Sequence, residues 1–192
     1  LLYILLLFIC KVTIGQVATT FNDTTFTFTR IDTIDGLTKN EIFDKAKQVL
    51  TGYIKSKNSA FIIDDKESGK LVIESTLLFP IKNIFGEVFG KEVITFNIII
   101  LCKDNKFKLI LENYDHLGGD IITGSALSSG NTNGLPKATN GFGKLSTFQI
   151  EKSSFEKKNK FKRVKEFCQT ETYKLMKELR SKMKTSNTEK DF

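Results

Sequence analysis

The sequence contains no tryptophan, one histidine and three cysteines in 192 residues. So few nitrogen and sulfur ligands rule out the usual zinc spacings. Nor is there a Walker loop, a dinucleotide fingerprint or a nucleophile elbow, which removes the enzyme classes those motifs serve. A uniformly basic surface is also missing. The formal net charge is +7, yet residues 17–150 hold 15 Lys+Arg against 15 Asp+Glu, while residues 151–184 hold 12 against 5. The basic character belongs to one segment, which is not the pattern of a nucleic-acid binder. Aromatic content comes mostly from 17 phenylalanines. That suits a packed interior, and the length suits one core in one domain.

What is present is strand-like sequence, densest from Ser59 to Tyr114 in SAFIID, KLVIESTLLFP, EVITFNIIILC and KFKLILENY. Alternate residues of a strand point to opposite faces. One set is dry: Leu71, Ile73, Leu77 and Phe79, then Ile94, Phe96, Ile98, Ile100 and Cys102. The opposite set is mixed and half-wet. TFTFTR at Thr25–Arg30 adds a first strand, with Phe26 and Phe28 on the dry side and threonines on the other.

Thr38 followed by Glu41 reads as a capping box that opens a helix, with Ile42, Ala46, Val49, Leu50 and Tyr53 on its apolar stripe. A second helix is expected over Phe155–Lys184, where Phe161, Val164, Cys168, Thr172, Leu175, Leu179 and Met183 step by three and four. Its lysines with Arg163 and Arg180 form an outer face suited to solvation or to an anionic surface. The acidic stretch Asp64–Lys70 reads as a hairpin turn with Gly69 at positive φ, not as a cation loop. Phe85, Val88 and Phe89 in the next connection are expected to fold back on the core.

Five segments follow. Residues 1–16, with the apolar run LLYILLLFI, read as a cleaved signal peptide; the bulky Phe8 and Ile9 before Cys10 argue against a lipoprotein. Residues 17–114 carry a linker, the sheet and the first helix. Residues 115–150 hold seven of the 13 glycines and read as a flexible Gly/Ser/Asn-rich loop. Residues 151–185 carry the second helix, and 186–192 a frayed tail. The protein is therefore expected to be exported, to the periplasm or beyond.

Cys102 and Cys168 remain after processing. Both fall on dry positions, so either a disulfide or two buried thiols is open. His116, flanked by Asp115 and Asp120, is the one candidate base for a hydrolase, without a second histidine to build a metal site. No catalytic residue, cofactor or metal is expected.

The strand FTFTR, the helix start GLTKNEIFDKAKQVL, the segment FIIDDKESGKLV and the pair ITFNIIILCKDNKFKLILENY resemble domain-of-unknown-function family 4468, secreted bacterial proteins with a TBP-like fold. The resemblance covers Thr25 to Tyr114. It implies an α+β fold of order β-α-β-β-β-β-α, a curved antiparallel sheet of about five strands with two helices on its convex side. It assigns no activity, and the glycine-rich loop departs from it. In that fold the other face stays open, with Thr25, Thr27, Thr29, Val72, Glu74, Thr76, Thr95, Asn97, Ile99, Lys108, Ile110 and Glu112 on it. This face is the candidate binding site for an envelope protein, a peptide or a glycan. Nucleic-acid binding by fold analogy is the weaker alternative.

Overall fold

The computed structural model describes residues 19–53, 61–82, 85–86, 88–118, 141, 143–147 and 154–185. The expected signal peptide, Cys10, the tail 186–192 and most of the glycine-rich loop lie outside the described residues. Among the described residues seven strands and two helices are formed: β1 (Thr20–Asn22), β2 (Thr27–Thr33), α1 (Lys39–Thr51), β3 (Phe61–Asp65), β4 (Lys70–Lys82), β5 (Val88–Lys103), β6 (Lys106–Gly118), β7 (Gly143–Lys144) and α2 (Phe155–Lys184). The strands make one antiparallel sheet in the order β1-β2-β6-β5-β4-β3, with β7 paired to β6.

Both helices lie on one face. Phe28, Leu71, Ile73, Ile94, Phe96, Ile98, Ile100, Leu109 and Leu111 from the strands share a single core with Ile42, Phe43, Ala46 and Leu50 of α1 and Val164, Cys168, Met176, Leu179 and Met183 of α2. The α1 start is the expected capping box: the Glu41 amide donates to Thr38 Oγ1 at 3.3 Å and the Thr38 amide to Glu41 Oε2 at 2.8 Å. The turn between β5 and β6 adds a further cap, because Asp104 Oδ1 accepts from the Lys39 amide at 2.7 Å. Ser154 caps α2, whose bounds are those its periodicity predicts.

Several expectations are corrected. The described residues form seven strands, not about five, because two short strands add to those expected: β1, within the expected linker 17–23, and β7, within the expected loop. TFTFTR does not begin a strand at Thr25; residues 23–26 turn, Phe26 takes φ 50° while staying buried, and β2 runs from Thr27 to Thr33. Residues 115–118 and 143–144 of the expected loop 115–150 are strand instead, because β6 continues to Gly118 and Gly143–Lys144 pairs with it. Gly141 packs so tightly there that a Cβ would meet the His116 carbonyl oxygen at 2.2 Å. Phe85 and Val88 do not fold back; they are 82% and 52% exposed. The Phe89 side chain lies outside the described residues.

The β3–β4 turn is the one foreseen. Gly69 has φ 72°, and a Cβ there would meet the Cys102 carbonyl oxygen at 2.7 Å. The Cys102 amide donates to the Gly69 carbonyl at 2.7 Å. From that bond the antiparallel register points the odd-numbered residues of β4 toward β5 and the even-numbered ones away. Pro80 is even, so its missing N–H costs no bond to β5.

Candidate functional site: the helix-free face of the sheet

The register assembles the open face row by row. Thr29, Ile110, Ile99, Val72 and Ile63 are successive partners across β2, β6, β5, β4 and β3. On one side of that row, Ile31, Lys108, Leu101 and Lys70 are partners. On the other, Glu112, Asn97 and Glu74 align, and beyond them Asp115, Thr95 and Thr76. Thr27 precedes Thr29 on the same side of β2. The residues chosen from sequence thus lie together on one surface: Glu74 and Thr76 are exposed, and Thr27, Thr29, Thr95, Asn97, Lys108 and Glu112 are half-buried by their strand neighbours.

Two members change status. Thr25 is in the turn before β2, off the sheet, and Val72 is only 4% exposed between Ile63 and Ile99. Sequence reasoning passed over Ile31, Ile63, Lys70 and Leu101, although strand parity with Thr29, Val72 and Ile99 marks them. The charges are of both signs, Lys70 and Lys108 against Glu74, Glu112 and Asp115. That mixture does not suit a phosphate backbone.

A β-bulge sets which residues of β6 reach this face. Asn97 pairs with Glu112 but Thr95 pairs with Asp115, so Phe96 faces two residues, Asn113 and Tyr114. Asn113 takes φ 59°, the left-handed region that Asn tolerates. The extra residue shifts the parity of β6. Tyr114 and His116, which unbroken alternation would place beside Glu112 on the open face, are turned into the core. The Tyr114 ring stacks on Phe96 at 5.0 Å, and its hydroxyl meets Thr172 Oγ1 at 2.5 Å. Burial pushes the Tyr114 phenol far up, against the opposing hydrogen bond to Thr172.

His116 is 1% exposed, and its Nε2 lies 3.2 Å from Glu92 Oε2, with Lys160 of α2 at 2.5 Å from Glu92 Oε1. Burial raises the Glu92 carboxyl, but the hydrogen bonds from His116 and Lys160 outweigh it and hold the group below its ordinary range. Asp32 does the same at the other end of α2. It is buried, bonded by Arg30 at 2.5 Å and Arg180 at 2.8 Å, with Lys184 at 3.4 Å. Desolvation raises its pKa, but the two guanidinium groups outweigh that and hold it below the usual carboxylate value. Neither carboxylate was singled out from sequence, although Arg30 and Asp32 share the dry parity of Phe28. The basic segment of α2 is in large part consumed this way. Lys160, Arg180 and Lys184 serve buried carboxylates, Lys165 pairs with Asp23, and Lys162, Lys174 and Lys182 pair along the helix.

Cys102 and Cys168 are not bridged; both are free and buried, and desolvation pushes each thiol up to about 12. Cys168 lies close enough to Tyr114 to influence its ionisation, and Tyr114 stacks on Phe96. Cys102 is further along β5 from Phe96 by about 20 Å at roughly 3.3 Å per residue, beyond the ~7 Å a disulfide spans.

A seven-stranded antiparallel sheet with two helices on one face and the other face uncovered by any described element is the arrangement that results. Residues 28–116 match the family described as a domain of unknown function (DUF4468) with TBP-like fold. Solved structures agree over nearly the whole chain. A DUF4468 family protein from Bacteroides ovatus ATCC 8483 superposes with a TM-score of 0.56 at 12% identity, covering 91% of this chain and 94% of its own. A TBP-like protein from Parabacteroides distasonis ATCC 8503 gives 0.55 at 13% identity, covering 88% and 98%. At such identities the likeness shows the DUF4468 fold alone, with α2 included in it. No curated protein matches the sequence. Among the described residues no helix is long and apolar enough to cross a membrane.

Proposed function

We propose that the protein is a non-enzymatic binding module of the cell envelope, exported through a cleaved leader at residues 1–16. Its open sheet face holds a peptide or a protein segment. The observation that carries this reading is the apolar row Ile110–Ile99–Val72–Ile63, aligned across four strands on the face the helices leave bare. A solvated antiparallel face is ordinarily polar-out. Ile110, Ile99 and Ile63, aligned through the buried Val72, offer part-exposed aliphatic surface to a partner's apolar side chains, and Thr29 at the end of the row with Thr76 and Thr95 to one side offer hydroxyls for its polar groups. Two other readings have less support. A hydrolase built on His116 would need the ring accessible, and it is buried on the helix side against Glu92. Nucleic-acid binding would need a basic face and base-wedging side chains, and Glu74 and Glu112 offset Lys70 and Lys108.

A photo-crosslinking amino acid at Thr95 tests the reading in intact cells. The expected result is a discrete adduct that Thr76→Lys abolishes, with none from the same probe at Lys177 on the exposed side of α2. No adduct at Thr95, or one indifferent to Thr76→Lys, removes the open face as the binding surface. Export is tested separately by fractionation and N-terminal sequencing. A cytoplasmic protein that retains residues 1–16 refutes it.

A further inference from the structure

The strongest feature that the open face does not explain is the far end of the β4–β5 hairpin. β5 pairs with β6 only as far as Val93 and Gly118, and β3 pairs with β4 only up to Ile73. Among the described residues, Phe79–Lys82 and Val88–Glu92 therefore have only each other as strand partners. α2 covers the base of this two-stranded ribbon, where Phe79 packs edge-on against Phe167, but farther out it carries apolar side chains outward: Phe85 is 82% exposed and Val88 52%. Helix α2 projects from the same end. It runs from Arg180 and Lys184, beside Asp32, to Lys160, beside Glu92 at the ribbon's base. Its first residue lies about 7.5 Å further out, at 1.5 Å per residue, and that residue is Phe155, 80% exposed.

The charge at this end is biased to one sign. Among the described side chains, Lys82, Lys91 and Lys157 are exposed. In sequence, Lys82, Lys91, Lys157 and Lys158 stand against Glu87 and Glu156, so the balance stays basic. Glu92 is buried and already held by Lys160 and His116. Two protruding phenylalanines with lysines set just behind them do not form a pocket for a folded partner. They suit a soft interface, where rings enter the headgroup boundary and lysine stems reach back to the phosphates.

We propose that this end of the molecule, the ribbon tip with the start of α2, docks on the surface of an anionic lipid bilayer. The docking holds the sheet's open face clear of the lipid, and it stands whether or not that face binds a partner. Each lysine near an anionic surface contributes attraction that falls off within a Debye length.

The absence of tryptophan makes the test direct. Phe85→Trp in the full chain supplies a single indole at the tip, and Ile31→Trp supplies one at the opposite end, where Ile31 is 43% exposed. With vesicles of phosphatidylglycerol and phosphatidylcholine in equal parts, the emission of the Phe85→Trp chain is expected to shift to the blue, and with phosphatidylcholine alone it is not. The emission of the Ile31→Trp chain stays put in both. Adding Lys82→Glu and Lys91→Glu to the Phe85→Trp chain is expected to weaken the response at least about thirtyfold, the effect of losing two interfacial cations. Because the reporter reads the tip itself, attachment through the apolar Leu1–Ile9 run does not mimic the result. No shift of the tip indole with anionic vesicles, an equal shift with neutral ones, or an equal shift of the indole at the opposite end overturns the proposal. So does a blue shift without vesicles that grows with protein concentration, which would assign the tip to a second copy of the chain.

Discussion

Lys106–Glu112 and Tyr114–Gly118 are halves of one strand, β6, and they meet the core with opposite parity. In the first half Phe107, Leu109 and Leu111 are buried, at odd positions; in the second Tyr114 and His116 are, at even ones. The first half is built only from dispersion and burial, and its other side is the open face. The second half brings a phenol and an imidazole into the core, each with a partner: Thr172 for Tyr114 and Glu92 for His116. One residue in the left-handed conformation, Asn113, separates the two regimes. Which residues of β6 reach the candidate binding surface is thus set by a backbone event. After the bulge Tyr114 and His116 leave that surface, and Asp115, at an odd position, joins it.

Inserting one glycine between Asn113 and Tyr114 should erase the contrast altogether. With the bulge in place, the added residue takes the core position of Tyr114 and carries Tyr114 and His116 to the open face. Loss of a buried aromatic alone costs about 3–5 kcal/mol, a large share of a typical domain's stability of roughly 5–15 kcal/mol. We expect the near-ultraviolet circular dichroism of the packed tyrosine and the cooperative thermal transition to be lost. A variant that melts like the parent would show that the bulge can move, and that parity after it is not fixed by Asn113.

A milder disturbance of the second half is Glu92→Gln. The folded-state pKa of Glu92 is depressed, so its ionised form adds stability at pH above the unfolded value of 4.5, and that contribution is lost as pH falls through the lowered folded value. Denaturant unfolding at neutral pH should show the variant less stable by about 2 kcal/mol, the scale of a charged hydrogen bond in a buried pair. The gap should close on acidification. A gap independent of pH would mean that the carboxylate's charge is not what holds Lys160 and α2.

Substitutions at the junction itself should do least. Asn113→Gly should leave stability within about 0.5 kcal/mol of the parent, since glycine takes the left-handed region freely. Asn113→Ala should cost about 1 kcal/mol, because a Cβ there meets the following carbonyl. Equal stabilities for the two variants in urea unfolding would show that the positive φ at 113 is not required.

The first half of β6 was legible in the sequence and the second was not. Strict alternation in KFKLILE admits one assignment of faces, as does ITFNIIILC opposite it, and these two strands order the core. The α1 capping box and the bounds of α2 were legible for the same local reason: Thr38 with Glu41, and a stripe repeated over many turns. The bulge left one clue, an asparagine in LENYD, but asparagine is tolerated in many places where no bulge forms. The buried carboxylates were hidden because their cations come from remote sequence; only the tertiary fold joins Asp32 to Arg180. β1 and β7 are too short to show a period. At the ribbon tip an apolar loop suggests return to the core, whereas α2 covers only the base of the ribbon, at Phe79 and Glu92, and leaves Phe85 and Val88 exposed. Of the candidate site, the polar and threonine members were foreseen. The aliphatic row was half foreseen, since Ile63 completes it from a strand whose register bends between Phe61 and Ile63.

The link between Asp32 and Arg180 spans 148 positions. At ribosomal rates of about 5–20 residues per second, the carboxylate is synthesised on the order of ten seconds before its guanidinium exists. Throughout that interval the phenylalanine-rich side of the nascent sheet has α1 but not α2 to cover it, and native closure must wait. Under the proposed export, such late completion would keep the polypeptide threadable, the state a translocation channel requires.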